Sequence, residues 1–231
     1  MYDEFVRRFN ATFIAADMYK QFIGGLRNTL FITVCATVIG CAIGAAVAIT
    51  KVFYAQTGRF KWLNSLCDLY LTVIRGTPIV LQLLIMYFII IPPRYSALLA
   101  AILTFGVNSG AYMAEIIRAG IMAIDIGQTE AARSLGLPAA ATMRFIILPQ
   151  AIKNILPAIG NEFIALLKET SVVGYITVID LTRAGNLVRA KTLDPYFSLF
   201  FVAGVYLLLV IGITSLLKKF ERRLRRNDRN A

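Results

Sequence analysis

Histidine is absent from this chain of 231 residues, and charged side chains make up only 16% of it. The first absence excludes imidazole metal sites and His-containing catalytic triads. The second, beside a 58% hydrophobic content, excludes an ordinary soluble domain, because a chain of this size has too little interior to hide so much apolar surface. Cysteine is scarce. Cys35 and Cys41 stand six apart in one expected helix, about 9 Å along its axis and on different faces, so with Cys67 they make no disulfide framework. No Gly-x-x-x-x-Gly-Lys-Ser/Thr phosphate loop occurs, nor any Gly-Lys pair, so this chain is not itself an ATP-hydrolysing protein. No internal repeat, intramembrane Asp pair or Ser-Lys arrangement is found either, which ranks a membrane-embedded enzyme last.

What the sequence has instead is long uncharged runs. None of Asp, Glu, Lys or Arg falls between Arg27 and Lys51, Arg75 and Arg94, Arg94 and Glu115, or Asp194 and Lys218. Each run is about the length that crosses a hydrocarbon core as a helix. The expected fold is therefore an all-α integral membrane protein of about five transmembrane helices. Residues 1–22, with Phe5, Phe9 and Phe13 at helical spacing among charged neighbours, read as an amphipathic interfacial helix. A transmembrane domain over 23–217 and a basic tail over 218–231 follow. The spans fall near Gly25–Thr50, where Gly40 and Gly44 form a small-xxx-small pair, then Ser65–Ile91, Tyr95–Ile117, from Pro149 to Leu167, and Tyr196–Leu217. Pro78 should bend the second just after Arg75, and Pro92-Pro93 should end it in a tight turn. Pro157 and Gly160 should break the fourth. Lys168 to Pro195 should form an outer hairpin with a short helix.

The net charge of +11 does not form one patch, so it reads as topology signal and attraction to anionic lipid, not as nucleic-acid binding. Five spans with a cytoplasmic C-terminus put fifteen Lys and Arg on one side and nine on the other, favouring an outside N-terminus. That orientation makes the polar loop over about 119–149 cytoplasmic. Within it, Gln128, Thr129 and Glu130 suit a helix start, Ala131 and Ala132 give a small helix-forming face, and Gly136 followed by Pro138 marks its stop. A short helix of this shape is suited to docking into another protein.

Glu130-Ala131-Ala132, three residues, Gly136, nine residues and Ile146-x-Leu148-Pro149 together resemble the "EAA" coupling loop of ABC importer membrane subunits. Four further stretches are similar to the polar amino acid uptake branch: Arg75-Gly76-Thr77-Pro78, Asn108-Ser109-Gly110-Ala111-Tyr112-Met113-Ala114-Glu115, Gly127-Gln128, and Gly160-Asn161-Glu162 with Leu167-Lys168-Glu169-Thr170-Ser171. Val172-Val173 departs from the family's more frequent Leu. The resemblance covers roughly Gly24 to Leu217. It implies a type I importer permease in a bacterial or archaeal plasma membrane, paired with a second permease subunit, identical or paralogous. It also implies two cytoplasmic ABC ATPases, which would bind the ATP and Mg, and an extracellular amino acid-binding protein. No cofactor is expected in this chain. Glu130, Ala131, Ala132, Gly136 and Leu137 would then seat in a groove on the ATPase.

Polar groups at membrane depth are costly and so mark candidate substrate contacts. Glu162 and its neighbour Asn161 lie about 20 Å into the fourth span by helical rise. The Glu162 carboxylate suits an ammonium or guanidinium, or else a structural ion pair with Lys168 or an arginine. Thr104, Asn108, Tyr112 and Glu115 share one face of the third span. Asn108 reads as a partner of substrate or of Glu162, Tyr112 as a packing residue before a ligand contact, and Glu115 as a helix-surface pair with Arg118. Gln82 either lines the path or joins two helices. Glu162 favours a cationic amino acid such as arginine, lysine or histidine, with glutamine, glutamate and cystine open. The competing reading is a stand-alone secondary transporter or channel with Glu162 and Glu115 as proton or cation sites.

Overall fold

The computed structural model describes residues 2–92 and 94–228, without the side chains of Ala16 and of 224–228. Pro93 and the end of the basic tail therefore lie outside the described residues. The architecture is all-α. Helix α1 (Tyr2–Phe9) runs on through a wide turn, Asn10–Ile14, until Asp17, at φ 57°, turns the chain into α2 (Met18–Thr57). The first apolar run thus joins its flanks in one 40-residue helix that begins before Gly25 and ends beyond Thr50.

Phe60, at φ 59°, leads into α3 (Lys61–Gly76). There the second expected span stops being one helix. Thr77 and Pro78 are both extended before α4 (Ile79–Ile85) and its wide final turn, Met86–Ile90. The proline lacks an amide donor and pushes the residue before it out of the helical region, so a bend expected after Arg75 becomes a full interruption. Next come α5 (Ala97–Met122), α6 (Ile126–Ser134) and α7 (Ala139–Thr142). A wide turn, Met143–Ile147, leads into α8 (Leu148–Glu169).

The break expected at Pro157 and Gly160 is not there. Helix α8 passes through both without interruption. One proline forfeits a single backbone hydrogen bond, which a helix held on its flanks can bear. Gly160 serves packing instead: a Cβ built on it would stand 2.3 Å from Leu217 Cδ2. After α8, a tight turn over Thr170–Ile176 leads to α9 (Leu181–Thr192) and α10 (Pro195–Asp228).

Among the described residues, three helices are long and apolar enough to cross a membrane: α2, α5 and Pro195–Arg223 of α10. The bent pair α3 and α4 makes up to four. The fourth expected span, α8, falls short of this test, because Gln150, Lys153, Asn154, Asn161 and Glu162 are spread along it.

The chain divides into two compact units. The first comprises Met1–Thr37, Pro78–Gly106 and Ile164–Ile213. Its main core packs Ile32, Leu83, Phe105, Leu166, Val173 and Ile176. A second core there joins Met18 and Phe22 to Leu181, Val188 and Val202. The regularly spaced N-terminal phenylalanines belong to this unit. Phe13 meets Phe201 edge-on at 4.7 Å and Phe5 lies 5.2 Å from Phe197. The segment before α9 is latched to α2: Asn28 Nδ2 donates to the Ile179 carbonyl at 2.9 Å and the Leu181 amide donates to Thr29 Oγ1 at 3.1 Å. Asp180 caps α9, accepting from the Thr182 and Arg183 amides at 2.8 and 3.0 Å. Burial pushes its carboxyl above the usual aspartate value, against the opposing pull of those amides.

The second unit comprises Val38–Thr77, Val107–Phe163 and Thr214–Ala231. Its small core is Leu71, Ala111 and Ala114, with Val47, Tyr70 and Ile74 packed against them. Gly40 and Gly44 let α2 approach α5 closely. A Cβ at Gly44 would meet Met113 Cβ at 2.5 Å and the Ala114 nitrogen at 2.8 Å.

Candidate functional site

Both ends of α6 are closed by residue types favoured at helix caps. Asp125 takes the N-cap position, its Oδ1 accepting from the Gly127 amide at 2.7 Å. At the far end Gly136 lies at φ 84°, the left-handed conformation expected from the sequence. The Leu137 amide donates to the Ala132 carbonyl at 3.1 Å and the Gly136 amide to that of Arg133 at 3.0 Å. That bond pair is a Schellman cap, which satisfies carbonyls the helix end would otherwise leave open. Arg133 Nη1 also donates to the Leu137 carbonyl, at 3.0 Å. Pro138 is extended and starts α7.

The exposed side of α6 is what a docking helix requires. Glu130, Ala131 and Gly136 are exposed, Leu137 is half-buried, and Ala132 turns inward. Leu135 is 84% exposed and Ile126 73%, a large apolar outlay for a helix of nine residues. On its inner side, Gln150 Nε2 on α8 donates to the Ile146 carbonyl at 2.9 Å and reaches Gln128 Oε1 at 3.5 Å. Only the three residues Ala123, Ile124 and Asp125 separate α6 from α5.

About 20 Å from this loop along both flanking helices, α5 and α8 meet at polar side chains. Ser109 Oγ donates to Glu162 Oε1 at 3.1 Å. Glu162 is half-buried, Asn108 is buried, and Asn161 is exposed. Gly40 supports the contact from α2, since a Cβ there would lie 3.0 Å from the Ser109 side chain. Tyr70 of α3 donates to the Val107 carbonyl at 2.6 Å, one turn before Gly110, where any Cβ would strike its hydroxyl.

The expected common face of α5 is divided by burial. Thr104 and Asn108 are covered, whereas Tyr112 is 38% exposed and lies beneath the Arg75 guanidinium, 5.5 Å from its ring centre. Glu115 pairs with Arg118 at 2.9 Å, three residues on, as its spacing indicated. Gln82 sits half-buried on α4, in the first unit. Three participants were not singled out from sequence: Asp125, which stands before the polar start of α6, Ser109, beside the more conspicuous Asn108, and Arg75 as the neighbour of Tyr112.

The profile of the family described as "Binding-protein-dependent transport system inner membrane component" matches residues 36–226. The chain is a permease subunit of the ABC-type amino acid importer family. It is 42% identical over 209 residues to the arginine transport system permease protein ArtQ of Bacillus subtilis (strain 168), covering 88% of this chain and 92% of that one. To the glutamine transport system permease protein GlnP of Escherichia coli (strain K12) it is 35% identical over 209 residues, with the same coverage of 88% and 92%. Among solved structures it superposes on one described as "Crystal structure of an amino acid ABC transporter with histidines". That match has a TM-score of 0.82 at 42% identity and covers 89% of this chain and 94% of the other. Permease subunits of this family are the non-catalytic, multi-pass membrane parts of their transporters.

Proposed function

We propose that this permease lines the path of a polar amino acid and is driven by a separate cytoplasmic ABC ATPase gripping α6. The observation that carries the reading is the form of α6: capped at both ends, small and acidic on its outer face, with two large apolar side chains left exposed. A cytosolic groove on the ATPase would cover Glu130, Ala131, Gly136 and Leu135. Closure of the ATPases on ATP would then displace α6, and the three-residue link to α5 and the Gln128–Gln150 contact with α8 would carry that displacement into both helices. Glu162 and Ser109 stand on these two helices, so the polar contact between them shifts with the same movement.

Glu162 is the proposed site for the substrate's cationic group, with Asn108 and Asn161 as its polar neighbours and Tyr112 as a further wall residue; Gln82, in the first unit, is a separate proposed substrate contact. The carboxylate supports a cationic substrate such as arginine, lysine or histidine, and the relatives named for arginine and glutamine transport keep the class to polar amino acids. A second permease chain, identical or paralogous, and an extracellular binding protein complete the working assembly. The Lys and Arg distribution supports an outer N-terminus, a cytoplasmic C-terminus and an interfacial position for α1.

The test is uptake of each proteinogenic amino acid in proteoliposomes holding the permease, its ATPase and its binding protein. ATP-dependent uptake of one polar class, lost on omission of the ATPase, is the expected result. Gradient-driven flux through the permease alone would overturn the reading.

A further inference from the structure

Where the ends of α2 and α5 meet the start of α3, all within the second unit, lies a cavity of about 460 Å³. Its polar wall is made by Lys51, Tyr54, Gln56, Asn64 and Arg118, each carrying N–H or O–H donors, and no carboxylate lines it. The opposite wall is apolar: Val52, Ala55, Ile121 and Met122. We propose that this cavity binds the phosphate-bearing headgroup of an anionic phospholipid.

The state of the two cations favours an anion. Lys51 is held by Asp68, which also accepts from Asn64 Nδ2 at 2.9 Å, so the ammonium is fixed at the cavity wall. Arg118 gives Nη2 to Glu115 at 2.9 Å, and its Nη1 has the Met122 sulfur, a weak acceptor, at 3.0 Å. Nη1 is therefore the poorly satisfied donor that the half-exposed guanidinium offers to the cavity. A charged N–H facing only a sulfur gains from a stronger acceptor, and a phosphate oxygen is one.

Two further observations favour a lipid over free phosphate. The apolar wall has no use for an inorganic ion but suits the glycerol and first methylenes of a lipid. The cavity also lies at headgroup depth. Helix α2 is about 60 Å long, twice the hydrocarbon thickness, and its uncharged run ends at Lys51, so its last turns stand clear of the membrane core. Around that end Trp62 is 65% exposed and Phe60 56%, and Arg59 and Lys61 flank them, the aromatic and basic composition of a membrane interface. The proposal needs only membrane insertion and is independent of the coupling and substrate readings.

The test is native mass spectrometry of the permease–ATPase complex with phosphatidylglycerol, phosphatidylcholine, or phosphatidylglycerol plus excess inorganic phosphate. The wild type should retain one phosphatidylglycerol per permease chain, about tenfold over phosphatidylcholine. Arg118→Gln should abolish that preference. Ala55→Phe, which fills the cavity from an exposed wall position, should abolish retention without disturbing either ion pair, and it decides the matter if the arginine variant does not assemble. ATP-dependent uptake by the same variants in proteoliposomes separates a failure of this site from a failure of the transport reading. Wild-type retention by Ala55→Phe, or equal retention of the two lipids, would overturn the proposal. Full displacement of lipid by inorganic phosphate would assign the cavity to the free ion and overturn it as well.

Discussion

Replacing Gly136 tests the contribution of the α6 cap to the proposed coupling. The residue holds φ 84°, is exposed, and has no atom within 4 Å of where a Cβ would stand. A substitution therefore meets no clash, and its whole effect is backbone strain. For an L-residue the left-handed conformation costs about 1–2 kcal/mol, less for Asn and more for a β-branched side chain. A relaxed backbone would give up the Leu137-to-Ala132 and Gly136-to-Arg133 hydrogen bonds and redirect the chain into Pro138. That strain limits the fall in the population of the capped loop to about 5- to 30-fold for Gly136→Ala. Substrate-stimulated ATPase activity of the reconstituted transporter should follow the order Gly, Asn, Ala, Val. Membrane insertion should stay level across the series, and thermal stability should fall by no more than this strain, since nothing packs against the site. Full coupling in Gly136→Val would refute the requirement for this turn, and equal loss in the Asn and Val variants would refute strain as its cause.

Three other outcomes follow from named contacts. Glu162→Gln should raise the KM for a cationic amino acid about tenfold or more, while Ser109→Ala, which removes one hydrogen bond to the same carboxylate, should raise it less; an unchanged KM in the glutamine variant makes Glu162 structural. Gly44→Ala should lower the midpoint of thermal unfolding, because its methyl would press on Met113 and the α5 backbone, an overpacking cost of about 1–3 kcal/mol. Gly24→Ala, with open space around it, is the matched control. Asp180 has its carboxyl raised above 3.8 by burial, so the stability it contributes is complete below that value and is lost as pH rises through its folded value. Asp180→Asn keeps a good helix cap and should flatten the pH dependence of unfolding over that window; an identical pH profile would count against burial as the cause.

Sequence reading succeeded where one residue type has few alternatives. Gly136 before Pro138 allows little but a left-handed stop, and the cap is there. Phe5 and Phe9 at helical spacing do lie on one helix, though the helix expected over 1–22 is interrupted by Asp17, and Met18 to Phe22 belong to α2. It failed where the same residue serves two purposes. Pro157 and Gly160 on α8, and Thr77 and Pro78 after Gly76 at the end of α3, look alike on paper. In the first pair the glycine admits Leu217 and the proline forfeits one bond, so the helix continues; in the second, Thr77 and Pro78 are both extended and the helix ends. Small polar residues were the least legible. Nothing local marks Ser109 as a partner of a carboxylate 53 positions away.

The proposed transport mechanism depends on α6 being gripped from the cytosol. The direct measurement is a single cysteine, Glu130→Cys, in a chain whose Cys35, Cys41 and Cys67 are replaced, treated with a short bifunctional cross-linker in assembled transporter and with a membrane-impermeant thiol reagent on intact cells. A covalent adduct with the ATPase subunit and no labelling from outside are the predicted results. Labelling of Glu130→Cys from outside, or no adduct in a complex that hydrolyses ATP and transports, would contradict the account.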